Sequence, residues 1–186
     1  MPGKRIDGAA LVAVLFMGFL FMRLMVDVVG SSGGNTGGMQ VAQAQVSTID
    51  NDAFASPYET YTLTQGLHGQ SYGHLAIDIA AGKGAKIHAP INGVVSARFV
   101  DQYGNTTLVI ENEHYQVLML HGNYTVAEGA QVEIGQVVGT ESNNGYTLDM
   151  AGRPCAGRDC GYHTHLNVYD KQLGTNVNPL NLIRGK

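Results

Sequence analysis

Gly73-His74-Leu75-Ala76-Ile77-Asp78-Ile79 sets an imidazole and a carboxylate four residues apart inside an apolar, strand-like run. A Gly-rich, polar approach over residues 66–73 leads into it. Both side chains are good ligands for Zn²⁺. Some ninety residues later, Tyr162-His163-Thr164-His165-Leu166 places two His two apart in a second strand-like run, so both point to one face of that strand. Two His and one Asp make three protein ligands. They leave the fourth tetrahedral position to water, the pattern of a catalytic rather than a structural zinc. Extended residues i and i+4 lie about 13 Å apart, so the backbone must bend between His74 and Asp78 for them to share an ion, and Gly73 is placed to help.

Low charge (14%) with 25 Gly in 186 residues fits a domain of strands and turns rather than a disordered chain. The net charge is −4, and no basic patch emerges, which argues against nucleic acid as a partner. The two cysteines, Cys155 and Cys160, are spaced more widely than the Cys-x-x-Cys of redox and zinc motifs. In an oxidising compartment they would close a small disulfide loop, stabilising by roughly 2 kcal/mol. The competing reading, a second metal pair, lacks any other Cys to complete it.

Lys4 and Arg5 precede an apolar run from Gly8 that Arg23 interrupts and that continues to Val29. Carried to Val29, a helix of about 22 residues spans about 33 Å, enough for a ~30 Å hydrocarbon core. Arg23 and Asp27 then pair at i, i+4. Basic residues before the span place the N-terminus inside and the remainder outside. The favoured reading of residues 1–30 is therefore an uncleaved anchor. A cleaved signal peptide is the alternative, although Val28-Val29-Gly30 is a mediocre cleavage site. Residues 31–55, rich in Gly, Ser, Asn, Gln and Ala, read as a flexible tether. Residues 56–186 read as the working domain.

Within that domain the pattern predicts a strand over Tyr58 to Leu63, a loop over Gln65 to Tyr72, and strand character over Leu75 to Ile79. Asn92-Gly93 reads as a tight turn, followed by a strand from Val94 to Val100. Thr107 to Glu111 and Tyr115 to Leu120 form a hairpin. Glu128-Gly129 and Ile134-Gly135 punctuate a further short-strand pair ending at Val138-Gly139. Asn143 to Gly161 is a long polar loop carrying both cysteines, His165 to Tyr169 the last clear strand, and Val177 to Ile183 a packed closing segment. Many short strands, Gly turns and no convincing helical period make the domain all-β.

There is no His-Glu-x-x-His, so a helix-based zinc protease would lack its general base. The segment from about Gln65 to Leu182 instead resembles the lysostaphin-type, LytM-domain zinc metallopeptidases that cut peptidoglycan peptides. Four stretches carry the likeness in order: Gly73 to Ala80, Ala89-Pro90-Ile91-Asn92-Gly93-Val94-Val95, Leu120-His121, and His163-Thr164-His165. The resemblance implies a duplicated-hybrid, barrel-sandwich architecture and one zinc held by His74, Asp78 and His165. It also implies that His121 and His163 flank the metal-bound water, without dividing the two roles between them. An imidazole near its own pKa at neutral pH can accept the water's proton and later donate to a leaving amine. A second imidazole can stabilise the oxyanion.

This chain departs from the family in two places. Many members carry an Arg in the loop before the first motif, and Gln65-Gly66-Leu67-His68-Gly69-Gln70 has none, which bears on substrate anchoring more than on zinc chemistry. The short turn before the final motif is enlarged into the cysteine loop, expected to wall one side of the cleft and tune peptide choice. Of the other histidines, His88 reads as strand packing, His114 as a solvated hairpin-tip residue, and His68 as loop filler or a cleft-lining residue.

The function implied is a membrane-tethered zinc endopeptidase acting on cell-wall peptides, in the bacterial envelope with its C-terminal domain outside the cytoplasm. One rival is a non-catalytic LytM-type activator of another hydrolase. Such relatives typically lose ligands, whereas this chain keeps all five positions. The other rival, a biotinyl or phosphocarrier domain, has no Met-Lys-Met site and leaves His163 and His165 without a role. The bond cleaved and the oligomeric state are not legible in the sequence.

Overall fold

The structure is a computed structural model, and it describes residues 52–183. The anchor and nearly all of the tether expected over residues 1–55 lie outside the described residues. Among the described residues no helix is long and apolar enough to cross a membrane.

The described chain is almost entirely strand and turn. In order come β1 (Thr62–His68), β2 (Ala76–Ala80), β3 (Lys86–His88), β4 (Gly93–Val100), β5 (Thr106–Glu111), β6 (Tyr115–Leu120), β7 (Asn123–Tyr124), β8 (Gln131–Val132), β9 (Val137–Thr140), β10 (Thr164–Asp170) and β11 (Thr175–Val177). A single 3-10 turn (Gln70–Tyr72) and a four-residue helix, α1 (Leu180–Ile183), complete the set. The larger sheet runs β1-β2-β10-β6-β5-β4-β8, with β11 also paired to β10. A three-stranded sheet runs β3-β9-β7.

The core explains why these residues are strands. Ile77, Ile79, Val95, Leu108, Ile110, Val117, Met119, Leu166 and Val168 are all buried. Along β6 the burial alternates, Tyr115, Val117 and Met119 inside and Gln116 exposed, as a pleated strand with one face on the core requires. From β2, Ala76, Ile77, Asp78 and Ile79 are all buried, because the strand lies between β1 and β10. Phe54 also joins the core, meeting the Tyr115 ring edge-on at 5.5 Å.

Several sequence expectations change here. The first strand begins at Thr62 rather than Tyr58 and runs to His68, into the expected loop. It is an edge strand exposed over most of its length, so backbone pairing to β2 defines it and no apolar alternation announces it. Asn92-Gly93 does not close a hairpin. The chain there passes from β3 in the small sheet to β4 in the large one. Gly93 is needed for space, since a Cβ would sit 2.5 Å from the Glu111 carbonyl oxygen. The strands around Gly135 do not pair with each other either: β8 joins β4, and β9 lies between β3 and β7. The β5–β6 hairpin forms as expected, with Glu111 opposite Gln116. Cys155 and Cys160 are joined as a disulfide.

His114, expected to be solvated, is largely covered. Its ring stacks on Tyr115 at 4.0 Å, and its nitrogens face Asp52 and Asp170. Burial works against its charged form, but the two carboxylates win and hold its pKa above the ordinary value.

Candidate active site

Strand pairing brings the two sequence motifs together. His165 of β10 stands directly opposite Asp78 of β2 on one side and Leu120 of β6 on the other. His121 follows Leu120 immediately, and His163 precedes β10. Four of the five expected residues are thus carried to one face by three adjacent central strands. The fifth, His74, lies just ahead of β2, after the turn whose C-cap is Gly73 at φ 76°. The regular strand begins only at Ala76, so His74 and Leu75 lie outside it.

The ring centroids of His74 and His165 are 5.1 Å apart, with His74 on the edge of His165 away from Asp78. The contacts around His165 divide between its two nitrogens. Nδ1 lies 2.9 Å from Asp78 Oδ1 and 3.2 Å from Nε2 of His68. Nε2 lies 2.8 Å from Nε2 of His74. His68, Asp78 and His165 present ligand atoms that all lie within 4.8 Å of one another, the arrangement that could hold a metal ion. His68, which the sequence left between loop filler and cleft lining, is therefore part of the cluster. The available signal was its place six residues before His74 in a Gly-rich approach.

Two further imidazoles complete the site. His121 and His163 have ring centroids 4.6 Å apart, and His163 Nε2 is 3.7 Å from Asp78 Oδ2. Each is held through its other nitrogen: Nδ1–H of His121 donates to the Asn144 carbonyl at 2.7 Å, and Nδ1–H of His163 to the Gly161 carbonyl at 2.9 Å. Both rings thereby keep an Nε2 lone pair for proton or metal chemistry. His121 has φ 72°, the sole positive value at a non-Gly residue among the described residues. Its backbone N–H donates to the Thr106 carbonyl at 2.9 Å, which helps fix that conformation.

The electrostatics follow from burial and crowding. Burial, and then the charge of His163, push His121 down to about 4. His74 is lowered too, by burial and by His165 and His68. Burial would raise Asp78, but the hydrogen bond from His165 and the neighbouring imidazoles outweigh it and leave its pKa below the ordinary carboxylate value. His74 and His121 are thus held toward the neutral form and Asp78 toward the ionised one, and imidazole nitrogens beside a carboxylate are a donor set suited to a borderline-soft divalent cation such as zinc.

Just after β9, Glu141 is buried and accepts hydrogen bonds from Ala81 N–H at 2.7 Å and Gly82 N–H at 2.9 Å. It anchors the turn that follows the Asp78 strand. Sequence reasoning did not single it out. Above the site lies a cleft of about 1120 Å³. The cysteine loop lines it as expected, through Tyr146, Leu148 and Met150, and Tyr162 follows just beyond the loop. That lobe is organised by Asp149, whose carboxylate takes Arg153 and Arg158, both at 2.9 Å, and by Asn143, which donates to the Arg158 and Cys160 carbonyls.

The family model described as Peptidase family M23 matches residues 72–179, more than half of the chain and a span within which all five expected positions fall. The chain belongs to peptidase family M23. Among solved structures, this M23 chain is similar to Csd3 of Helicobacter pylori at 20% identity and TM-score 0.53, covering 72% of this chain and 33% of that one. It is similar to a zinc containing peptidase from Vibrio cholerae at 24% identity and TM-score 0.52, covering 68% and 39%. An M23 peptidase structure from Pseudomonas aeruginosa gives 22% and 0.51, covering 73% and 52%. The M23 chain spans from a third to about half of the length of these proteins, and the likeness at these identities is one of fold. No curated protein matches the chain.

Proposed function

We propose that this M23 chain is a zinc endopeptidase that hydrolyses peptide bonds in peptidoglycan cross-links or stem peptides. The observation that carries the reading is the meeting of Asp78, His165 and His74 with two tautomer-fixed imidazoles, His121 and His163, on the floor of one cleft. Asp78, His165 and His74 would hold the ion, as the family resemblance implies. When bound, zinc polarises a scissile carbonyl and makes water a nucleophile near neutral pH.

The remaining steps belong to the chain. His121 and His163 are aimed through Nε2. One is positioned to take the proton of the attacking water and return it to the leaving amine. The other, in its protonated form with Nε2–H available, is positioned to donate to the carbonyl oxygen as negative charge develops there. Tyr103, Tyr146 and Leu148 offer apolar contact along an extended peptide, and Thr64 and Gln65 on the edge of β1 lie beside it. The two sheets are read as the family's barrel-sandwich. Residues 1–30 are read as a membrane anchor that sets the domain to work in the bacterial envelope, outside the cytoplasm.

Digestion of defined muropeptides by the full chain, with zinc supplied and then chelated, tests the reading. Cleavage that stops with chelator and in His165→Ala supports it. A zinc-loaded chain that cuts no muropeptide, yet stimulates a second wall hydrolase, would favour the activator reading.

A further inference from the structure

Four potential donors crowd the ion site, one more than a three-ligand centre uses. We infer that His68 is a fourth protein donor to the ion, alongside His74, Asp78 and His165, filling the position that three donors would leave to water. The inference rests on the zinc reading above.

The first support is placement. An ion belongs on the ring edge of His165 that faces the carboxylate, which is the Nδ1 edge. His68 Nε2 is already there, 3.2 Å from that nitrogen and 3.5 Å from Asp78 Oδ1. His74 faces the opposite edge, with its Nε2 2.8 Å from His165 Nε2, so it joins the ion only once its ring has turned. The second support is the tautomer. Nδ1–H of His68 donates to the Gly66 carbonyl at 2.8 Å, so the lone pair is on Nε2, the nitrogen facing the cluster. A carbonyl on the far nitrogen is the usual outer partner of a ligating imidazole. The ring also packs edge-on against His165, centroids 5.0 Å apart, with its side chain 23% exposed.

The four donors are not held alike. Asp78 and His165 are on paired central strands. His68 ends β1, an edge strand with two register irregularities against β2, one of them between Gln65 and His68 itself. His68 is therefore the donor placed to yield when a peptide lies along that edge. Four protein donors close a zinc site, and withdrawing one opens it.

Zinc K-edge absorption of the full chain, which counts bound imidazoles, tests this without reference to activity. The expected counts are three for the wild type and two for each of His68→Ala, His68→Gln and His74→Ala. Chelator competition should show zinc held at least ten-fold more weakly in both His68 variants. The Gln variant keeps the size of the side chain, so a folding defect in the Ala variant leaves the test intact. An imidazole count and affinity unchanged in both His68 variants would overturn the inference while leaving the zinc reading in place. A wild-type count of two, dropping to one in the His68 variants and staying at two in His74→Ala, would overturn it as well, making His68 a replacement for His74. A chain that takes up no zinc would defeat the zinc reading itself.

Discussion

His165 and Asp78 are Cα partners on neighbouring antiparallel strands, and their side chains meet at 2.9 Å, Nδ1 to Oδ1. The site therefore depends on register. A slip of one residue between β2 and β10 would turn every side chain of one strand to the other face and leave the imidazole without its carboxylate. Asp78→Asn and His165→Ala should each abolish zinc retention on gel filtration and lower muropeptide cleavage by roughly three orders of magnitude. Their circular dichroism should match the wild type, since both side chains border the cleft. Retained zinc in either variant would remove that residue from the ligand set.

Gly69 connects the two edge-side histidines. Its φ is +87°, and a Cβ there would lie 2.7 Å from the His74 carbonyl oxygen and 2.9 Å from Cδ2 of the His74 ring. Gly69→Ala is expected to cost about 1–2 kcal/mol from the left-handed backbone alone. It should also displace His74, weakening zinc binding well beyond what so modest a loss of stability explains. Chelator competition beside a urea melt separates the two effects. An unaltered zinc affinity would mean that His74 does not need its present position.

Glu141 shows how the turn after β2 is held. Removing its carboxylate takes the acceptors from the Ala81 and Gly82 N–H groups, which can then turn to water. Glu141→Ala should destabilise by about 1–3 kcal/mol, from the loss of two hydrogen bonds to a charged acceptor. Glu141→Gln, which keeps one acceptor oxygen, should cost less. Urea midpoints for the pair measure this, and equal values would show that the two hydrogen bonds contribute nothing net.

The site was more legible in the sequence than the fold around it. His-x-x-x-Asp, the lone His121 and His-x-His have chemical identities that survive without knowledge of strand pairing. The β5–β6 hairpin was legible because its apolar residues alternate. Strand β1 was not, because its residues are exposed and only the backbone commits them. Asn92-Gly93 misled because glycine serves close approach as well as turning, and local sequence does not say which. His68 was ambiguous for a related reason. It reaches His165 across 97 positions through strand order, which no local pattern reports. His114 gave no sign of burial because its partners, Asp52 and Asp170, come from opposite ends of the domain.

The disulfide-closed lobe makes a prediction about substrate choice. Tyr146, Leu148 and Met150 project from it along the cleft, while the lobe's own hydrogen bonds run mainly within residues 143–160. Deleting residues 147–158 should leave His74, Asp78 and His165 in place and alter the ranking of muropeptides by kcat/KM. The same ranking, at a uniformly changed rate, would show that the wall excludes water without selecting peptides.

Acid should destabilise the metal-free chain through His121. Its pKa is about 4 in the folded state, set first by burial and then by His163, against an ordinary value of 6.5 when unfolded. Between those values the unfolded chain binds the extra proton, so stability is full above pH 6.5 and falls as the solution is acidified toward pH 4. By pH 5 the loss is about 2 kcal/mol from this group. His74 shifts in the same direction and adds to it, whereas Asp78, lowered from 3.8, loses its contribution only in more acid solution. Urea midpoints of the chelated protein from pH 7.5 to 4.5 should therefore slope less steeply in His121→Asn, a residue that tolerates the positive φ at this position. Parallel slopes for the two proteins would mean that His121 is not the buried neutral imidazole that its surroundings dictate.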